Sequence, residues 1–122
     1  MKTLCKLSLI FFIVSVSACK KSDKENSIIG KWKHTETLAD PGDGSGKWQS
    51  VKNSDSYLLL SADGTVSGKG FTHYKQYSVI DNQTIEFIYQ DKRKIILFYK
   101  LKGSTLEISG GCFEACGSRF KK

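Results

Sequence analysis

Residues 84–109 read TIEFIYQDKRKIILFYKLKGSTLEIS, and this stretch decides the fold. It holds three apolar runs separated by the polar turns DKR and KGS. In the first run Ile85, Phe87 and Tyr89 share one face. In the third, Leu106 and Ile108 share a face while Glu107 points the other way. A period of two is the mark of a half-buried strand, whereas a helix would repeat its apolar residues every three or four positions. The middle run is apolar on both sides, with Ile96 and Phe98 opposed to Ile95, Leu97 and Tyr99. A strand of that kind is expected to have its second face covered by a loop, by the N-terminal segment or by a partner.

The same grammar extends upstream. IIGKWKHTET opens the region, LADPGDGSG makes a loop, and KWQSV, SYLLLS, TVSGKG and YKQYSVI follow as short apolar or alternating runs. Their connections, ADG and DNQ, carry Gly or Asn where tight hairpins need them. SRFKK forms a short last strand. No long stretch holds helical periodicity, and proline occurs once, at Pro41. The expectation is an all-β domain over residues 28–122, an antiparallel meander of about eight short strands. A meander of that size can close into a barrel and so remove its exposed edges. Residues 20–27, KKSDKENS, contain no large apolar side chain and read as a tether.

The N-terminus supplies an address. A basic start with Lys2 and Lys6 leads into the apolar run LSLIFFIVSV and then into small residues. That three-part layout is a secretory signal. The apolar run falls well short of the ~20 residues that a membrane-spanning helix requires. Val16-Ser17-Ala18-Cys19 resembles the bacterial lipobox, with valine where leucine is usual. The resemblance implies a signal peptide over residues 1–18, cleavage before Cys19, and acyl chains on the Cys19 thiol. Residues 19–27 then become a lipidated N-terminus and tether, and Cys5 leaves with the signal. Two or more acyl chains anchor a protein stably. Lys20 is not the aspartate that retains such proteins in the inner membrane, so the outer membrane of the cell envelope is expected, at its periplasmic face or at the cell surface.

Cys112 and Cys116 then have to be read in an oxidising compartment. Their C-x-x-x-C spacing is not the C-x-x-C of a dithiol redox motif. A zinc site needs four ligands, and His34 and His73 stand alone. The pair is expected to form a disulfide. Four residues of extended strand cover about 13 Å, too far for the bond, so the segment must curl, and Gly110, Gly111 and Gly117 suit a curl. Closing so short a loop contributes about 2 kcal/mol.

Charge and motifs exclude more than they select. The formal charge is +7, and loss of Lys2 and Lys6 with no acid leaves +5. The Lys92-Arg93-Lys94 and Arg119-Lys121-Lys122 clusters read as solvated rim, with anionic lipid as the alternative. For an exported lipoprotein no nucleic-acid partner is expected. No nucleophile elbow, phosphate-binding loop, metal cluster or paired-carboxylate signature is present, so the chain is expected to be neither an enzyme nor a cofactor protein. Asp40-Pro41-Gly42-Asp43-Gly44 lacks the spacing and the closing Glu of a calcium loop.

Gly30-Lys31-Trp32 opens the first strand and Arg119 sits in the last. In these residues, in strand count and in the terminal cysteine loop, the chain resembles the small lipocalin-like lipoproteins of Bacteroidetes over nearly all of residues 28–122. The resemblance implies that Trp32 packs at the closed end of the barrel beneath Arg119. The departure is size, since there is no room for the C-terminal helix of typical lipocalins. An eight-stranded barrel either fills with side chains or holds one small ligand. Tyr57, Tyr77, Phe87, Tyr89 and Phe98 are the candidates for either role. The two functional expectations are a carrier of a small apolar molecule at the membrane and a filled barrel that binds another envelope protein. Lysozyme-inhibitor lipoproteins belong to the second class, but a net positive charge opposes binding to cationic lysozymes.

Overall fold

The computed structural model describes residues 27–52 and 54–122. The signal segment, Cys19 and all of the tether except Ser27 lie outside the described residues.

Nine strands follow one another among the described residues: β1 (Gly30–Ala39), β2 (Lys47–Ser50), β3 (Tyr57–Leu60), β4 (Val66–Lys69), β5 (Tyr74–Val79), β6 (Thr84–Tyr89), β7 (Lys94–Lys102), β8 (Thr105–Ser109) and β9 (Cys116–Lys121). Eight of them form one antiparallel path, β4-β3-β1-β9-β8-β7-β6-β5, and β2 branches from β1. The sheet curls until its two edges nearly meet. β4 and β5 touch through a single bridge, Thr65 with Gln76, and through Tyr77 N–H donating to the Gly64 carbonyl at 2.9 Å. The domain is therefore the expected all-β meander in a nearly closed barrel.

β1 organises the closure. Its first half pairs with β3 (Gly30 with Leu60, Trp32 with Leu58) and its second half with β2 (Leu38 with Trp48). Its other edge carries β9 from Lys33 to Ala39, with a bulge between His34 and Glu36. The extra residue bends the strand, so that one ten-residue element serves three partners.

Alternation sets the interior as the sequence indicated. Ile85 and Phe87 of β6, Leu97 of β7, Leu106 and Ile108 of β8 and Phe120 of β9 are buried, and with Trp32, Leu58, Leu60 and Val66 they make the core. Among the described residues none that is polar or charged is buried. β7 departs from expectation on its outer face. Ile96 and Phe98 remain 57% and 61% exposed, and among the described residues nothing covers them.

Three hairpin turns use the same device. Asp63 accepts the Thr65 N–H at 3.0 Å, Asp81 the Gln83 N–H at 2.8 Å and Asp91 the Arg93 N–H at 3.1 Å. A carboxylate two residues ahead of the amide closes the turn in place of a backbone carbonyl. In the third turn Lys92 takes φ = 71°, a left-handed conformation in a non-glycine residue.

Candidate functional site

The barrel has two different ends. At the closed end, where β1 starts and β9 finishes, Trp32 is fully buried. Its Nε1–H donates to the Ile28 carbonyl at 2.7 Å, so the one polar atom of the ring is satisfied. Lys122 crosses beneath it. The ammonium lies 4.9 Å from the indole centroid and donates to the Ser27 carbonyl at 3.2 Å. Gly30 makes room for this: its φ is 139°, and a Cβ there would meet Lys122 Cε at 2.7 Å.

Arg119 is not the cation over Trp32. It lies on the outer face of β9, 3.8 Å from the centroid of Trp48. Its Nε–H donates to Glu107 at 3.0 Å, and Nη1 reaches Glu36 at 3.4 Å. Strand parity is the reason. Phe120 points inward, so Arg119 must point outward, and the cation that shares the parity of Phe120 is Lys122. Trp48 folds across β1 onto β9, and Gly117 is the residue it lands on, where a Cβ would meet Trp48 Cη2 at 3.0 Å. Gly117 is thus a strand residue under an indole and not part of the turn. β9 begins at Cys116, two residues earlier than the SRFKK run implied.

The open end holds a cavity of about 270 Å³. Phe71, Tyr74, Phe87, Leu97, Ile108 and Phe120 form its largely apolar wall, and Thr37, Ser109 and Ser118 are among the hydroxyl residues that line it. None of its lining residues carries a formal charge. Burial first, then the neighbouring Tyr89, pushes the Tyr74 hydroxyl up to about 12, which keeps it neutral. Tyr74 stacks on Phe87 at 4.5 Å. His34 lies below, between Phe71 and Phe120, with centroids at 5.5 and 5.2 Å. Burial lowers its pKa, and its ring nitrogen contacts the Glu36 carbonyl and the Thr37 hydroxyl, each at 3.1 Å.

The rim of the cavity is a stapled loop. Cys112 and Cys116 form the expected disulfide, with Cα atoms 6.1 Å apart. Gly110 and Gly111 turn the chain there with φ of 106° and 81°. A Cβ on Gly111 would meet Ile95 Cδ1 at 2.9 Å and Leu97 Cδ2 at 3.1 Å, so the loop rests directly on β7. A second loop braces the first. Asp40 N–H donates to the Ala115 carbonyl at 3.1 Å. The Asp40 carboxylate accepts the amides of Gly42, Gly46 and Gly44 at 2.8, 3.1 and 3.2 Å, which hold its pKa down. These bonds account for the Asp-Gly composition of residues 40–46 through the turn itself.

Of the five aromatic candidates, Phe87 alone lines the cavity. Tyr77 donates its hydroxyl to the Ser61 carbonyl at 2.7 Å near the barrel seam. Tyr57 faces outward beneath the Lys31 ammonium, 4.2 Å from its ring, because Leu58 and Leu60 occupy the inward positions of β3. Tyr89 packs with Tyr74 at 5.1 Å and under Arg93 at 5.0 Å. Phe98 is on the outer face. The sequence reading missed Phe71, Tyr74 and Phe120, and it placed Ile108 on the inward face with Leu106 without assigning it to the lining. Phe71 lies in a connection and gives no periodic signal.

Comparison of the chain with protein-family models, with curated proteins and with solved structures gives no match.

Proposed function

We propose that this chain is a lipocalin-like lipoprotein, exported, cut before Cys19, held by acyl chains at the outer membrane, and carrying a small neutral apolar molecule in the open end of its barrel. The observation that carries the reading is the uncharged cavity of about 270 Å³ walled by Phe71, Tyr74, Phe87 and Ile108. Burying a charge there without a partner would be costly, while apolar surface is favoured. At ~30 Å³ per water the space equals about nine waters, near the lower bound of ~300 Å³ for small-molecule pockets. It therefore suits a single ring or the end of a branched chain. Thr37 and Ser118 would orient the polar end of such a ligand.

The test is native mass spectrometry of the protein as a cell exports and processes it, beside the Ile108→Trp variant, whose added indole occupies the cavity. A discrete small-molecule adduct on the parent that the variant loses supports the carrier. An adduct retained by the variant places the ligand elsewhere and overturns the cavity assignment.

A second reading rests on the exposed Ile96 and Phe98 of β7. Adjacent apolar side chains in water are a common feature of protein–protein contacts, and this pair would serve an interaction module that binds another envelope protein. Pull-down with Phe98→Ser against the parent separates the two readings, since that change leaves the cavity intact.

A further inference from the structure

The outer face at the closed end carries lysines that the chain separates and the register assembles. Lys33 pairs directly with Lys121, and Lys121 with Thr105 on the other side. Thr105 in turn pairs with Lys102. Lys31 stands two residues from Lys33 on the same outward face of β1, and Lys122, with the inward parity of Phe120, adds its ammonium from the floor of the barrel, where it also holds the Ser27 carbonyl. All five side chains are exposed. The row from Lys102 to Lys33 crosses four adjacent strands, about 14 Å.

One feature distinguishes this patch from scattered surface charge. Like charges directly opposite one another on paired strands destabilise a sheet, and the Lys33–Lys121 pair is such a liability. Among the described residues no carboxylate lies within ion-pair distance of these five lysines, a property they share with Lys47, Lys52, Lys75, Lys92 and Lys100. The ion pairs present engage Lys69, Arg93, Lys94 and Arg119. Asp63 and Asp81 sit in the other two turns of this end but cap their own hairpins.

The patch lies at the end where the chain enters the barrel. The Ser27 carbonyl is held by Lys122 beside Trp32. From Cys19 to Ser27 the chain spans at most about 30 Å when fully extended. We propose that the closed-end face formed by Lys31, Lys33, Lys102, Lys121 and Lys122 docks on an anionic bilayer surface, through lipid phosphates. This rests on the membrane-anchor reading above. It sets the barrel closed end down, with the cavity rim and the Lys92–Lys94 turn facing away from the bilayer. Each lysine near such a surface strengthens association about five-fold, and the effect fades beyond a Debye length.

The test uses the exported, processed protein reconstituted into phosphatidylcholine vesicles and into phosphatidylcholine–phosphatidylglycerol vesicles. A water-soluble acylating reagent labels exposed amines, and peptide mass spectrometry reads each lysine. Labelling of Lys33, Lys102 and Lys121 is expected to fall about five-fold on the anionic vesicles and to recover in high salt. Lys75 and Lys92, toward the open end, should label equally on both. Lys33→Glu adds a control. It sets opposite charges across the β1–β9 pair, so stability should hold or rise, while association with the anionic vesicles should weaken about 25-fold, with less protection of Lys102 and Lys121 than in the parent. Equal labelling on both vesicles, or protection that high salt leaves unchanged, overturns the proposal. Retention on phosphatidylcholine vesicles in high salt reports the anchor separately. Should the anchor fail, co-sedimentation with the anionic vesicles at low salt still reads the patch.

Discussion

Which cation serves which tryptophan can be measured by double-mutant cycles. The Arg119 guanidinium lies 3.8 Å from the Trp48 centroid, and the Lys122 ammonium 4.9 Å from that of Trp32. Arg119 is 30% exposed, between the fully wet and fully desolvated limits. Its contact with Trp48 is therefore expected at about 1 kcal/mol, and the more distant and exposed Lys122–Trp32 contact at about 0.5 kcal/mol. The variants are Arg119→Met, Trp48→Leu, Lys122→Met and Trp32→Phe, with the corresponding doubles. Arg119→Met also leaves Glu107 and Glu36 without their shared partner, so the single change should destabilise by more than the cation–π contact alone. The cycle removes that common cost and isolates the pair. For a domain of this size a coupling of 1 kcal/mol moves the urea midpoint by nearly 1 M. Arg119 with Trp48 should couple, and Arg119 with Trp32 should be additive within about 0.5 kcal/mol. A larger coupling of Arg119 to Trp32 than to Trp48 would refute the parity argument that separates the two faces of β9.

Three further outcomes are expected. Gly68→Ala should destabilise by about 1–3 kcal/mol in urea titration, because φ is 145° and a Cβ would run into the Tyr57 carbonyl; a cost under about 0.5 kcal/mol would mean the β3–β4 pair is looser than described. Reducing the Cys112–Cys116 bond should cost about 2 kcal/mol from the chain entropy of its short loop, read as a lower urea midpoint with a thiol reductant, and an unchanged midpoint would count against it. Stability should also depend on pH in two steps. His34 is held below its ordinary value chiefly by burial, so its contribution is full above about 6.5 and declines as pH falls from there toward the folded value. Hydrogen bonds from Thr65, Thr84 and Arg93 hold Asp63, Asp81 and Asp91 low. Their contribution is full above about 3.9 and is lost as pH falls through the folded values. A melting temperature that stays flat from neutral pH down to strong acid would contradict both steps.

The division between what was legible and what was not follows physical range. The turns were legible from Gly and Asn in ADG and DNQ, because turn chemistry is local, although the structure closes them with the Asp63, Asp81 and Asp91 carboxylates on amides two residues away. Ile85, Phe87, Leu106 and Ile108 were legible as buried faces because strand alternation is local. The curl at Cys112–Cys116 was legible because two thiols four residues apart cannot bond along an extended strand. The pocket was not. Tyr57, Tyr89 and Phe98 resemble Phe87 in composition and strand context, yet their place depends on which face the closed sheet turns inward and which part of the interior stays unfilled.

From the sequence alone came the strand class, the turn chemistry, the staple and a reading of Cys19 as a lipid anchor. These depend on residues within a few positions of one another. Only the tertiary structure decided that β2 branches from β1, that Lys122 and not Arg119 underlies Trp32, that the core stops short of the open end, and that Lys33 faces Lys121. All but the first couple residues that the chain separates widely. Register between distant strands is settled by the closure of the whole sheet, and a one-residue slip would exchange every inward side chain for an outward one.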